Sequence, residues 1–424
     1  MSRETRTAAV LAGNRIPFAR SHGAYAHASN HDMLTAALDG LVARTGLAGE
    51  RLGEVVGGAV LKHSHDWNLA RESVLSTALS PQTPAYDVQQ ACGTGLQATL
   101  LVANKIALGQ IDSGISCGSD TTSDAPMSLG EGLRETLLKV NRAKTTGDKA
   151  KALIGLRPGH LAPNVPQAAE PRTGLSMGEH MAITAKEWGI TREAQDELAA
   201  ASHRNLAAAY DRGFFDDLVT PFLGLTRDGN LRPDSSAEKL AKLSPIFGSD
   251  TMTAGNSTPL TDGASAVLLG SEQFAAEHSL TPLARVVDGE TAAVDFVHGA
   301  EGLLMAPAYA AARLLARTGL SLQDFDFYEI HEAFAATVLA TLAAWESDEF
   351  CRTRLGLPGA LGPIDRSRLN VNGSSLAAGH PFAATGGRLV ASLATMLHEK
   401  GSGRGLISVC AAGGQGVVAI LEAM

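Results

Sequence analysis

Three short islands hold the residues with the clearest chemical potential: Gln90-Ala91-Cys92-Gly93-Thr94-Gly95, Gly379-His380-Pro381, and Cys410-Ala411-Ala412-Gly413-Gly414-Gln415-Gly416. A thiol among small residues, a histidine in a glycine-rich turn and a second thiol opening another glycine run are the parts that acyl transfer through a thioester needs. Cys92 follows the strand-like Ala85-Tyr86-Asp87-Val88 and precedes a helical pattern. Its sulfur is therefore expected near a helix N-terminus, where amide dipoles and a nearby imidazole bring a thiol from about 8.5 toward the neutral range. His380 has a near-neutral imidazole suited to take that proton, and the small residues Ala377, Ala378, Gly386 and Gly387 leave backbone room around it. The glycine run after Cys410 offers amides to an oxyanion. Each also has a plain structural reading, as an inert buried cysteine, a turn histidine or a strand-end thiol. Their combination favours chemistry, and Cys117, the repeat counterpart of Cys410, is read as structural.

Other polar groups are more ambiguous. His331-Glu332-Ala333-Phe334 follows a strand-like run and opens an apolar helix, where a polar side chain could donate to a carbonyl oxygen or simply cap the helix. Thr253 to Pro259 with Asp262-Gly263 reads equally as turn chemistry and as ligand contact. His63-Ser64-His65-Asp66 has metal-ligand residue types but no third ligand at a matching spacing, so no metal is assigned.

An internal repeat shows what positions the islands. Leu41-Val42-Ala43-Arg44-Thr45-Gly46-Leu47 returns as Leu314-Leu315-Ala316-Arg317-Thr318-Gly319-Leu320, each a helix end at which glycine is expected in the left-handed conformation. Strand-like runs follow at Glu54 to Val60 and Phe325 to Ile330, and Gly114 to Gly118 matches Gly405 to Cys410 as a strand ending in cysteine. The helical stretches after Cys92 and after His380 also correspond, so a pseudo-twofold pair of α/β halves would bring the two loops to the centre. Between the halves, residues 124–249 are rich in charge and turns and contain a helix over Thr191 to Tyr210 with Thr191 as N-cap. Lys139, Arg142, Lys144, Lys149 and Lys151 in this stretch read as a solvated face, with phosphate contact as the rival reading.

The 424 residues are 45% hydrophobic, which supports a large core. A net charge of -9 and scattered basic residues argue against a general nucleic-acid surface. No run approaches membrane-spanning length, and four cysteines, two of them in glycine-rich loops, suit reduced thiols and a cytoplasmic location.

Taken in order along nearly the whole chain, the Cys92 island, Met177-Gly178-Glu179, Asn256 to Gly263, His331 to Phe334, Gly379-His380-Pro381 and Cys410 to Gly416 resemble the thiolase family. His331 stands where most relatives carry Asn, which makes the chain most similar to the long-chain type, the β subunit of the fatty-acid oxidation trifunctional complex and its bacterial counterparts. The resemblance implies an α/β, duplicated five-layered αβαβα fold. It implies an N-terminal half over 1–123 completed by 250–274, a loop domain over 124–249 covering the coenzyme A pocket, and a C-terminal half over 275–424. It also implies cleavage of 3-ketoacyl-CoA by CoA to acetyl-CoA and a shortened acyl-CoA, as in fatty-acid β-oxidation. In that casting Cys92 carries the acyl group, His380 activates it, Cys410 shuttles the α-carbon proton, the amides of Cys92 and Ala412 hold the acyl oxyanion, and His331 contacts the other. Arg232, Thr258 and Met177 align with CoA contacts. No permanently bound cofactor is implied, with CoA as co-substrate, and a homodimer or homotetramer is expected, with a hydratase and dehydrogenase α subunit as a further partner. The alternatives are an acetoacetyl-CoA thiolase, distinguished by pocket width around 124–177, and a decarboxylating ketosynthase, against which Cys410 speaks. A noncatalytic CoA or lipid carrier would have lost one of Cys92, His380 and Cys410, and all are present.

Overall fold

Strands in which every residue is buried set the architecture, as at Glu54–Gly57, Ser113–Asp120 and Thr261–Gly270. Such strands need cover on both faces and therefore helices on either side. The computed structural model describes residues 5–424. Its strands in chain order are β1 (Ala9–Arg15), β2 (Ala19–Arg20), β3 (Glu54–Gly57), β4 (Ala85–Asp87), β5 (Ser113–Asp120), β6 (Thr261–Gly270), β7 (Ala284–Ala293), β8 (Phe327–Ile330), β9 (Arg404–Ala411) and β10 (Gln415–Ala423). They run β4-β3-β5-β6-β1-β7-β10-β9-β8, with β2 pairing β6.

The two halves repeat one pattern. In the first, β3 lies parallel to β5, which is antiparallel to β6, which is antiparallel to β1. In the second, β8 lies parallel to β9, then β10 and β7 follow antiparallel. Where β4 flanks β3, the second half has a single parallel bridge between Tyr328 and Leu369. The halves join at β1 and β7, where Ala9 faces Arg285 and Val10 faces Ala284. The repeated helices Asn30–Thr45 and Ala306–Thr318 end, as expected, on left-handed Gly46 and Gly319 at φ 68° and 69°.

Layering follows from what each helix touches. Asn30–Thr45 covers β1, β5 and β6, whereas Ala306–Thr318 covers β7, β9 and β10. The helices Thr94–Ala107 and Ala384–Lys400 pack on each other and on strands of both halves, so they form the middle of five layers. Their apolar surface is buried nearly all round, including Leu96, Val102, Leu389, Val390 and Leu393.

At their first turns the two central helices meet backbone to backbone. A Cβ built on Gly386 would lie 2.1 Å from the Leu96 nitrogen, and one on Gly95 would lie 2.6 Å from the Ala383 carbonyl oxygen. A side chain at Gly118 of β5 would come within 2.1 Å of that same oxygen. Glycine is required here by close approach rather than by backbone conformation.

Within 124–249, the helices Glu131–Arg142 and Thr146–Ile154 are largely exposed, and Lys139, Arg142, Lys144, Lys149 and Lys151 lie on or beside them. The helix Arg192–Asp211 is different: Thr191 caps it through the Ala194 N–H, and it buries Ala199, Ala200, Ser202 and Leu206 against the helices Ala335–Glu346 and Ser375–Ala378. The end of this segment is anchored by Arg15, whose guanidinium bonds both Asp228 oxygens at 2.6 and 2.7 Å in the interior.

Gly386→Ala is expected to destabilise the fold by about 1–3 kcal/mol or more through overpacking. Urea unfolding should show a lower midpoint at unchanged slope.

Candidate active site

Cys92 sits in a tight turn just before the central helix Thr94–Ala107. The Gly93 N–H donates to the Gln90 carbonyl at 3.0 Å, the Thr94 N–H to the Ala91 carbonyl at 3.1 Å, and the Gln90 N–H to Thr94 Oγ1 at 2.9 Å. Ala91 pays for this turn with a left-handed φ of 46°, a conformation that costs a non-glycine residue on the order of 1–3 kcal/mol. Gln90 Nε2 donates to Gln415 Oε1 at 3.1 Å, tying the turn to the Cys410 hairpin.

His380 arrives on the other central helix's leading loop. Gly379 has φ 101°, and a Cβ there would lie 2.7 Å from Thr261 Cγ2, so glycine lets the loop pass. The His380 N–H donates to Thr261 Oγ1 at 3.1 Å. Its Nδ1 lies 2.6 Å from Thr385 Oγ1 and its Nε2 lies 3.0 Å from Cys92 Sγ. The Thr385 hydroxyl donates to the Pro381 carbonyl at 3.4 Å. It therefore accepts from His380 Nδ1–H, and the Nε2 lone pair is left facing the thiol.

The second thiol and second histidine complete the group. Cys410, next to last in β9, pairs with Gly416 in β10 and is buried, with the loop between the strands turning through left-handed Gly413 and Gly414 at φ 77° and 69°. The N–H groups of Ala412 and of Cys92 itself both face the Cys92 thiol. Glu170 Oε1 accepts the Gly413 N–H at 2.6 Å and so fixes the loop that aims Ala412. The ring of His331 packs 4.1 Å from that of His380, centroid to centroid. One of its nitrogens lies within 4.8 Å of both Cys92 Sγ and a His380 nitrogen. Its Nδ1 is 2.9 Å from Ser375 Oγ, and its buried Nε2 has no partner.

The electrostatics correct one expectation. Burial pushes the Cys92 thiol up to about 12, against the Ala412 N–H that lowers it and with Asp120 raising it further. Burial, then the charge of Arg388, brings His380 down to about 3. His331 is held well below its ordinary value by burial, His380 and Arg388, and Cys410 is raised by burial and by its neighbour Cys92. Burial therefore opposes a charge on either partner of this hydrogen-bonded pair. Desolvation outweighs the helix-terminus amides that were expected to favour thiolate.

The sequence candidates separate clearly in space. Cys92, His380, His331, Cys410 and the Ala412 amide converge. Thr258 lies beside them, its Oγ1 donating to the Ser375 carbonyl at 2.9 Å and its N–H to the Ala333 carbonyl at 3.0 Å. Met177 is half-buried and opens the helix Met177–Glu187, whereas Arg232 is on an exposed turn, its guanidinium against the carbonyls of Asn230 and Leu231. Asn256 and Asp262 serve turns: Asn256 receives the Thr253 N–H at 2.7 Å, and Asp262 receives the N–H groups of Thr122 and Ser123 at 2.8 and 3.1 Å. Cys117 is buried in β5. His63 bonds the Asp124 backbone at 3.1 Å. Among the described residues, Cys92, His331 and His380 form the one group whose ligand atoms cluster closely enough for a metal ion. The 3.0 Å contact within it is of hydrogen-bond length, as a nucleophile with its base requires. Thr385, Ser375, Arg388 and Glu170 went unnoticed in the sequence. Only the spacing of Thr385, one helical turn beyond the His380 loop, carried a signal.

Comparison with known proteins agrees with this geometry. The model of the thiolase N-terminal domain matches residues 8–273, and that of the thiolase C-terminal domain matches residues 280–423. The chain is 42% identical to a 3-ketoacyl-CoA thiolase of Pectobacterium carotovorum over 422 residues, covering 98% of this chain and 96% of that one. An acetyl-CoA acetyltransferase of Bacillus anthracis superposes with a TM-score of 0.82 at 30% identity, covering all of both chains. Human mitochondrial 3-ketoacyl-CoA thiolase in complex with CoA superposes with a TM-score of 0.81 at 28% identity, over 99% of this chain and 98% of that one. Doubled α/β halves, a cysteine and histidine meeting between them and matches across both domains give one conclusion: the chain belongs to the thiolase family.

Proposed function

We propose that this thiolase is a 3-ketoacyl-CoA thiolase, an acyltransferase that cleaves 3-ketoacyl-CoA with CoA to acetyl-CoA and an acyl-CoA shortened by two carbons, as fatty-acid β-oxidation requires. The observation that carries the reading is the 3.0 Å contact of His380 Nε2 with Cys92 Sγ, beside a second buried thiol and two convergent amides. The full-length likeness to the Pectobacterium enzyme supports the substrate class.

In this mechanism the Cys92 proton passes to His380 Nε2 as the sulfur attacks the 3-keto carbon, so the charges appear together rather than in the resting site. The bond from the carbonyl carbon to the α-carbon then breaks, and Cys410 gives its proton to the acetyl-CoA carbanion. In the second half the thiol of incoming CoA loses its proton to the Cys410 thiolate and attacks the acyl-enzyme. Cys92 leaves as thiolate and recovers its proton from His380. The N–H groups of Cys92 and Ala412 receive the oxygen of the acyl-enzyme intermediate, and His331 with His380 receives that of the enolate. Each such donor is worth about 3 kcal/mol in the transition state.

Residues 124–249 serve as the cover of the CoA end, a role supported by Glu170, which reaches from this segment to the catalytic hairpin. Thr258, Met177 and Arg232 are assigned to CoA contact on the family resemblance. The same resemblance supports a homodimer or homotetramer and a hydratase and dehydrogenase partner. Four free cysteines support a cytoplasmic location. No helix of the described residues is long and apolar enough to cross a membrane.

Purified enzyme should consume 3-ketoacyl-CoA only with CoA present, faster for a long chain than for acetoacetyl-CoA, and Cys92→Ala should lose at least about 10³-fold in kcat. A preference for acetoacetyl-CoA would assign the short-chain enzyme instead, and no turnover of either would point to a carrier. Alkylation of Cys92 by iodoacetamide in the free enzyme should rise steadily from about pH 6 to about pH 10, because the thiol remains protonated at rest. A plateau near neutrality would mean a preformed thiolate and imidazolium pair.

A further inference from the structure

His331 is enclosed by groups that constrain where its proton can sit. Arg388 is buried, and its Nη2 donates to Ser374 Oγ at 3.1 Å and to Ser375 Oγ at 3.0 Å. A guanidinium only donates, so Ser375 Oγ is an acceptor toward Arg388. The other bond of that hydroxyl is the 2.9 Å contact with His331 Nδ1. Ser375 has no exposed surface, so a hydroxyl hydrogen aimed anywhere else would be buried without a partner, at a cost of about 1–3 kcal/mol. The alternative would leave both that hydrogen and the Nε2 lone pair of His331 unpaired, so the better-satisfied arrangement sends the Ser375 hydrogen to His331 Nδ1 and leaves one group, on Nε2, open. The ring then carries its own proton on Nε2, the nitrogen without a protein partner.

We propose that Ser375 and Arg388 are positioning residues that lock His331 as its Nε2–H tautomer, so that the two histidines of the site are held in opposite tautomers. His380 presents a lone pair to the Cys92 thiol, and His331 presents an N–H to the substrate oxygen. The inference deepens the reaction proposed above and rests on it for the identity of that oxygen. It assigns the division of labour between two stacked imidazoles to their outer partners: Thr385, which receives the His380 Nδ1–H, and Ser375, which donates to His331 Nδ1. It also explains a buried cation near a catalytic site. Arg388 lies near the carboxyls of Glu329 and Glu332, which favour its charged form. Glu332 is in turn held by Ser202 Oγ and Asn370 Nδ2, both at 2.7 Å, and by the Leu376 N–H at 3.2 Å. The whole assembly keeps Ser375 facing His331.

Nitrogen-15 NMR of the full-length protein labelled at histidine, without substrate, reads the tautomers directly, with His331→Asn and His380→Asn assigning the signals. The expected result is a protonated Nε2 on His331 and a protonated Nδ1 on His380. In Ser375→Ala the His331 signals should move toward the Nδ1–H form or an exchange average. In that variant kcat should fall about tenfold while KM for CoA changes less than about twofold. A proton on His331 Nδ1 in the wild type, or an unmoved Nε2–H in Ser375→Ala, would overturn the proposal. The spectrum is taken without turnover, so a protein that shows these tautomers but cleaves no thioester would refute the proposed function and leave this inference standing.

Discussion

The first turns of the two central helices touch through Gly95, Gly386 and Gly387, and the site depends on that contact. Because Gly95 follows Cys92 closely and Gly386 follows His380 closely, bringing the backbones together also brings thiol and imidazole to 3.0 Å. No side chain could mediate the approach without spreading the loops. The duplication supplies the rest, since equivalent strand-loop-helix units placed back to back deliver one reactive loop each to a shared centre. The Cys410 hairpin closes the third side, held by Gln415 to Gln90 and by Gly413 to Glu170.

Burial then governs the chemistry. The same packing that excludes water from the site penalises every charge within it, so the thiol rises to about 12 and the imidazole falls to about 3. Burial thereby favours a neutral hydrogen bond over a resting ion pair, and the fixed amides are placed to receive charge that develops on a substrate oxygen. The buried polar groups nearby serve position instead. Arg388 donates to Ser374 Oγ and Ser375 Oγ, and Asp120 accepts the N–H groups of Leu61 and Ala383 at 2.8 Å each, holding the start of the His380 helix against the first half.

Much of this architecture is legible in the sequence. Gly46 and Gly319 mark matching helix ends because a left-handed C′ residue has a strong residue preference, and Cys92, His380 and Cys410 stand out because, although each alone reads as structural, together they are the parts of one acyl-transfer device. The upward push of burial on the thiol is not legible in the sequence, because local sequence reveals a helix N-terminus but not how fully the surrounding layers remove water. Ser375, Arg388 and Glu170 were invisible for a related reason. Ser375 meets His331 across 44 positions and Glu170 meets Gly413 across 243, while Arg388 reaches the site through Ser375, so only the folded contacts disclose them.

The central claim is that Cys92, and not Cys410, carries the acyl group. Incubating the enzyme with a 3-ketoacyl-CoA in the absence of free CoA, quenching in acid and mapping peptides by mass spectrometry tests it most directly. The account predicts the mass of the shortened acyl group on the peptide containing Cys92, removed on addition of CoA before the quench. An acyl adduct on Cys410, or acetyl-CoA formed with no adduct on either cysteine, would contradict it.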